Sequence, residues 1–229
     1  MTIEPEMTMR TLTKWMGLGG GALAVTASLA IASVPISAEA ASPDDVANVS
    51  ALLDGMRGTA PIPCAFALAV VEGNAGWGNW FGAVPDGTDP AVARLRRWLD
   101  HRLTDPSVVP MLRSALGPGD ACVRQTAARL LGRTQHQRAV AALVEALRDA
   151  DPSTRELAAL GLGSSEAAGA YDALVAALRD AEAPVRAAAA IALGRLGDHR
   201  AMVVLVPVLR NDRIPVVRRA AAYALGELD

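Results

Sequence analysis

The chain has 229 residues, 22 Lys+Arg against 24 Asp+Glu, a formal net charge of −2, 52% hydrophobic residues and only 3% aromatics. That length and apolar fraction bury a medium core and exclude a wholly disordered chain. The near-neutral balance argues against a dedicated nucleic-acid binder, and two cysteines exclude a disulfide-dense scaffold or a four-cysteine zinc site.

Residues 1–14 are polar and end in Arg10 and Lys14, Trp15 to Val34 carry no charge, and Ala38-Glu39-Ala40 precedes Ala41. A positive start, an apolar stretch and an A-x-A site are the marks of a secretory signal. Residues 1–40 are therefore expected to be removed, leaving a periplasmic or secreted protein. Left uncleaved, residues 15–34 are long enough to anchor the chain in a membrane. Only in that case is a membrane contact expected.

Residues 41–88 form a second segment, expected to cap the remainder. Val46, Val49, Leu52, Leu53 and Met56 predict a helix from about Pro43 to Arg57. Gly58-Thr59-Ala60-Pro61 reads as a turn, and Pro63 to Glu72 as a further helix completing a capping hairpin. Gly73 to Asp89 reads as a glycine-rich loop carrying Trp77, Trp80 and Phe81, the densest aromatic cluster of the chain. These rings have two readings: a platform for a sugar or peptide, or a cover over the open end of the domain that follows.

From residue 89 onward a 31-residue period organises the sequence. Val123-Arg124…Leu131-Gly132 recurs as Thr154-Arg155…Leu162-Gly163, Val185-Arg186…Leu193-Gly194 and Val217-Arg218…Leu225-Gly226, and Leu116, Leu147, Leu178 and Leu209 recur at the same interval. Each unit reads as two helices. Val123, Ala127, Leu130 and Leu131 make the apolar stripe of the first, which Gly132 is expected to end or loosen. Val140, Leu143, Val144 and Leu147 make the stripe of the second. Asp151-Pro152 opens the next unit with an N-cap and a proline at the first helical position. Alanines at 127, 158, 189 and 221 let neighbouring helices approach. One hairpin cannot bury its stripe alone, so the expected fold is all-α, an α-solenoid of stacked hairpins over residues 89–229. The first unit, 89–119, is degenerate, and the last, 213–229, has only its first helix.

The pattern D-x-x-V-R-x-x-A-x-x-A-L-G, clearest from Glu182 to Gly194, resembles the HEAT repeats in the short form named after the phycobiliprotein lyases. The resemblance implies the solenoid and, in HEAT stacks, second helices that line a concave face. It is nearly silent on function, since HEAT-like proteins include scaffolds, carriers and a few enzymes. Deoxyhypusine hydroxylases of this type hold di-iron on His-Glu dipeptides. None occurs here, and His101, His136 and His199 read as solvated turn residues.

Arg124, Arg155, Arg186 and Arg218 line up along the stack. They read as a structural ladder, with Asp120, Asp151, Glu182 and Asp212 at hand as partners; the rival reading is an anion-binding ladder. Cys64 and Cys122 either form a disulfide tying the N-terminal segment to the repeats or remain buried thiols. The second-helix positions off the core stripe include Arg138, Asp172 and Arg200 among small residues, with Pro207 expected to kink its helix. No nucleophile, metal set or recurring acid–base pair converges, so no cofactor is expected. The reading is a non-catalytic scaffold with a protein or peptide partner. The alternatives are a subunit of a bilin-lyase-type enzyme and a sugar-binding surface protein.

Overall fold

The computed structural model describes residues 45–58, 106–134, 136–165 and 167–229. Among these residues there are nine α-helices, one 3-10 turn (Ala168–Ala170) and no strand. The helices are α1 (Asp45–Met56), α2 (Val108–Ala115), α3 (Ala121–Arg133), α4 (Gln137–Ala146), α5 (Pro152–Gly163), α6 (Tyr171–Ala177), α7 (Ala183–Arg195), α8 (Ala201–Asn211) and α9 (Pro215–Glu227). The helix expected over 43–57 is α1. The signal-like start, the Pro63–Glu72 segment, the aromatic loop and the first half of the degenerate unit lie outside the described residues.

Local chemistry sets the helix starts. The Asp120 carboxylate accepts from the Cys122 and Val123 amides at 2.9 and 3.1 Å, and Asp151 accepts from Ser153 and Thr154. Each satisfies two of the N–H groups that a helix leaves unpaired at its first turn. Helices α5, α7 and α9 also carry a proline in the first turn, where a missing N–H costs nothing.

Helices α3, α5, α7 and α9 pack side by side in chain order, while α2, α4, α6 and α8 form the second layer. Helix α1 lies on α2 and α3 at the N-terminal end. Ala127, Ala158, Ala189 and Ala221 are fully buried where these layers meet, as are Leu131, Leu162 and Leu193. Each buried leucine contributes about 1.5–3 kcal/mol relative to an exposed one. Buried hydroxyls bond to nearby helix carbonyls: Thr126 inside α3 to Cys122 at 2.8 Å, and, just past the ends of α3 and α5, Thr134 to Leu131 at 2.8 Å and Ser165 to Leu162 at 2.7 Å.

The Leu-Gly pair lies at the helix end: α5 stops at Gly163, and α3, α7 and α9 stop one residue after Gly132, Gly194 and Gly226. The glycines of the stacked units also serve close approach. A Cβ on Gly132 would lie 2.1 Å from the Gly161 carbonyl oxygen; on Gly163, 2.7 Å from the Ala192 Cα; on Gly194, 2.7 Å from the Ala224 Cα. Any side chain there would push apart the backbones of neighbouring helices. Pro207 lies inside α8, which runs on to Asn211.

Candidate functional site

The arginine series joins one hairpin to the next. Arg155 donates from Nε and Nη2 to the two carboxylate oxygens of Asp180, at 2.8 and 3.0 Å, and from Nη1 to the carbonyls of Asp149 and Ala150. Arg186 repeats the arrangement, with Asp212 at 2.8 and 3.2 Å and the carbonyls of Asp180 and Ala181 both at 2.9 Å. Each guanidinium thus holds the turn before its own helix and grips the aspartate of the turn that follows. Arg124 uses a variant: Nε to the Leu116 carbonyl, and Nη2 to Asp151 and Thr154. Arg218 keeps only the rearward contact, Nη1 to the Asp212 carbonyl at 2.7 Å.

Two of the acids suggested by the sequence take part, Asp151 with Arg124 and Asp212 with Arg186, and two do not. Asp120 caps α3 and takes no part in the series, while Glu182 gives no side-chain cap and leaves the bridge to Asp180. At two junctions the turn sets the choice: Asp180 and Asp212 each accept from the amide two residues on, at 2.9 Å, which fixes the carboxylate at the hairpin junction. Asp149 accepts in the same way, yet Arg124 takes Asp151 instead. Asp149, Asp180 and Asp212 each stand six residues before their own arginine, a spacing visible in the sequence. Hydrogen bonds from Arg155 hold the Asp180 carboxyl below its usual range, and bonds from Arg186 do the same for Asp212; partial burial opposes both. The same pairs push the two guanidinium values further up.

The second helices carry a separate, exposed row. Arg138 and Ala141 on α4, Asp172 and Ala176 on α6, and Arg200 and Val203 near the start of α8 all face solvent. Arg200 is clamped by Asp198 at 2.6 Å and lies over the Tyr171 ring, 4.4 Å from its centroid. The Asp198 bonds chiefly raise its pKa, with smaller contributions from Tyr171 and Asp172, so the structure brings Asp172 into the field of Arg200. Arg138 stands on a different hairpin. Val203 is 77% exposed and Met202 40%, an apolar pair two and three residues after Arg200. Arg113 on α2 forms an ion pair with Glu145 on α4, tying two second helices together.

Two residues singled out in the sequence take more definite roles. His136 is not merely a solvated turn residue: its Nδ1 accepts from the Arg138 amide and caps α4. Cys122 is disulfide-bonded, and the other cysteine of the chain, Cys64, lies outside the described residues. Trp77, Trp80 and Phe81 also lie outside them. An open cleft of about 400 Å³ between α1, α2 and the start of α3 contains Asp54, Arg57 and Asp120. Its charged groups are engaged, Asp54 with Arg57 at 3.2 Å and Asp120 with the Gly58 amide at 2.8 Å. Gly58 has φ +71°, the left-handed conformation that glycine adopts without strain. Burial raises the Asp120 carboxyl, and the Gly58, Val123 and Cys122 amides outweigh it, so the net shift is downward. Among the described residues no three His, Cys, Asp or Glu side chains are grouped to hold a metal ion, and no helix is long and apolar enough to cross a membrane.

Hairpins stacked in register, fastened through one recurring residue series, define an α-solenoid. The HEAT repeats family pattern matches residues 88–160 and 140–226, more than half of the sequence, and the chain belongs to that family. No curated protein matches the chain. Among solved structures, the complex of CpcE and CpcF of phycocyanin lyase from Nostoc sp. PCC7120 is similar at 22% identity and a TM-score of 0.44, over 88% of this chain and 64% of that one. Human deoxyhypusine hydroxylase in complex with glycerol is similar at 20% identity and a TM-score of 0.46, over 92% and 98%. This chain therefore spans under two thirds of the length of the lyase chain. Both likenesses concern the fold alone.

Proposed function

We propose that this protein is an exported, non-catalytic HEAT-repeat scaffold that binds a protein or peptide through the exposed row of its second helices. The observation that carries the reading is the division of labour among polar side chains. Arg124, Arg155 and Arg186 of the recurrent series are taken up inside the stack, whereas Arg138, Asp172 and Arg200 stand exposed among Ala141, Ala176 and Val203. Mixed charge beside small and apolar residues suits a helical or extended peptide. Residues 1–40 are the proposed signal, 41–88 the proposed cap and 89–229 the binding domain. The disulfide of Cys122 supports an oxidising compartment. We assign Cys64 as its partner, and Trp77, Trp80 and Phe81 to the cap.

The test is capture from envelope extract by the mature chain, compared with Arg200→Asp and Val203→Asp. Loss of the same captured protein in both variants, with unchanged melting curves, supports the reading. Capture that is equal across all three proteins assigns partner binding elsewhere. N-terminal sequencing of the exported protein should begin at Ala41; retention of residues 15–34 would instead leave a membrane-anchored protein.

A further inference from the structure

A second arginine series runs along the stack. Arg148, Arg179 and Arg210 stand 31 residues apart, one in each of three successive units. Arg148 and Arg179 each lie two residues past the end of a second helix, α4 or α6, and their amides close a last turn on the carbonyls of Glu145 and Ala176 at 2.9 and 3.1 Å. Arg210 occupies the last turn of α8. The three side chains therefore leave equivalent points of their hairpins, at the opposite end of the second helices from Arg138, Asp172 and Arg200. All three are exposed, in the inner units as in the last, and no carboxylate among the described residues bonds any of them.

Three acids of the adjoining turns are already taken: Asp151, Asp180 and Asp212 are held by Arg124, Arg155 and Arg186. Asp149 and Glu182 remain exposed between the arginines and make no ion pair among the described residues. The carbonyl ends of α4, α6 and α8 favour a cation at these positions. That attraction holds the stem of each arginine near the helix end and leaves its planar fork open to a carboxylate.

Neighbouring helices pack about 8–10 Å apart, so the guanidiniums recur at roughly that interval along the edge. A chain in the polyproline II conformation has about three residues per turn and rises about 3.1 Å per residue, which sets every third side chain on one side, about 9 Å apart. Nucleic acid fits poorly, since its phosphates recur about every 3.4 Å along a strand and those between the arginines would meet Asp149 and Glu182. An anionic membrane fits no better: Ala150 and Ala181, exposed two residues on, have nothing to insert, and a straight row meets a flat surface along one line only.

We propose that the edge formed by Arg148, Arg179 and Arg210 binds an extended acidic segment of a partner protein, with a Glu or Asp at every third position. Each carboxylate takes the fork of one arginine, and the uncharged residues between pass Asp149 and Glu182. The proposal rests on the scaffold reading above and gives it a second surface and the chemistry of a partner.

The probe is a fluorescein-labelled synthetic peptide of four Pro-Pro-Glu triplets, whose anisotropy is followed on titration with the full chain. Saturable binding is expected, weakening as salt rises. Arg148→Ala, Arg179→Ala and Arg210→Ala should each weaken it about threefold and the three together at least about tenfold, with melting curves close to wild type because no ion pair is lost. Arg200→Asp, at the other end of the second helices, is the control and should bind the peptide as wild type does. No binding, binding indifferent to the triple variant, or equal binding of an isomer with its four glutamates contiguous overturns the proposal. Tighter binding of phosphatidylglycerol vesicles or of an oligothymidylate, lost in the triple variant, assigns the row to a lipid or a nucleic acid and likewise overturns it. Each of these results leaves the second-helix reading standing, since that is lost only if Arg200 and Val203 prove indifferent to capture.

Discussion

Replacing Arg186 by alanine tests whether the arginine series holds the stack together. The side chains of Arg186 and Asp212 are 9% and 11% exposed, and the guanidinium makes two bonds to the carboxylate and two to carbonyls. Its removal leaves Asp212 with the Ile214 amide as its remaining donor and deprives the Asp180 and Ala181 carbonyls of theirs. Deleting one partner of a buried pair costs about 3–5 kcal/mol, and a single charged hydrogen bond about 1.5–3. The pair lies in a turn close to water, so the lower end applies, about 3 kcal/mol. For a domain of this size that lowers the melting temperature by roughly 10 °C. Arg186→Lys should not rescue it, because an ammonium cannot make the forked contact. Arg218→Ala removes one bond to a carbonyl and should cost about 1 kcal/mol. The pH dependence has a definite sign. The Asp212 carboxyl is held below its ordinary value, mainly by Arg186, so the pair stabilises fully above the ordinary carboxylate range and is lost as pH falls through the lower folded value. Urea melts from neutral to acid pH, with hydrogen exchange on α9, measure both effects. A wild-type melt for Arg186→Ala, an undiminished acid limb, or an equal cost at Arg218 would refute the structural role.

The Leu-Gly glycines predict opposite outcomes for one substitution at two places. Gly163→Ala should destabilise by about 1–3 kcal/mol, since its Cβ would lie 2.7 Å from the Ala192 backbone, whereas Gly226→Ala should stabilise by up to about 1 kcal/mol through helix propensity; paired thermal melts decide. Cys122→Ser should cost about 2–5 kcal/mol, and peptide mapping without reductant should recover a crosslink between the peptides holding Cys64 and Cys122. Asp120→Ala should loosen the contact between α1 and α3 by about 1–2 kcal/mol, because that carboxylate accepts from Gly58 as well as capping α3; protection of the Cys122 and Val123 amides in hydrogen exchange reports it.

Repetition explains which features are legible in the sequence. A pattern met four times identifies the first-helix stripe, the buried alanines and the arginine series, because each copy occupies the same environment. The acid partners are harder to see, since two acids precede Arg155 and Arg186 alike and only the turn geometry selects among them. Asp180 lies six residues before Arg186 and Glu182 four, and Arg155 reaching from the unit before bridges the Asp180 carboxylate, which the turn orients. The glycines are half legible for a related reason. A glycine after a helical stripe marks a helix end, and α3, α5 and α7 do end at or one residue after theirs, but Gly132, Gly163 and Gly194 are also required because the neighbouring backbone comes too close for a side chain. That constraint belongs to the stacking of two units and is invisible within one. His136 is hard to recognise as a cap because histidine is uncommon there, and the turn preceding α4 offers no Ser, Asp or Asn directly before Gln137.

The recurrent series also gives the stack a polarity. Arg155 and Arg186 each hold their own turn with one nitrogen and reach toward the following unit with the other two, so donors point toward the C-terminal end. At the other end α1 lies against α2 and α3, and its Gly58 amide bonds Asp120 just before α3 begins. Each forward link ends on a carboxylate that a turn amide already orients, Asp180 by Glu182 and Asp212 by Ile214, so the turn of one unit fixes the register of the guanidinium that reaches it from the unit before. A solenoid buries each hairpin against its neighbours, and a forked contact made in one direction keeps that stacking from slipping by a turn.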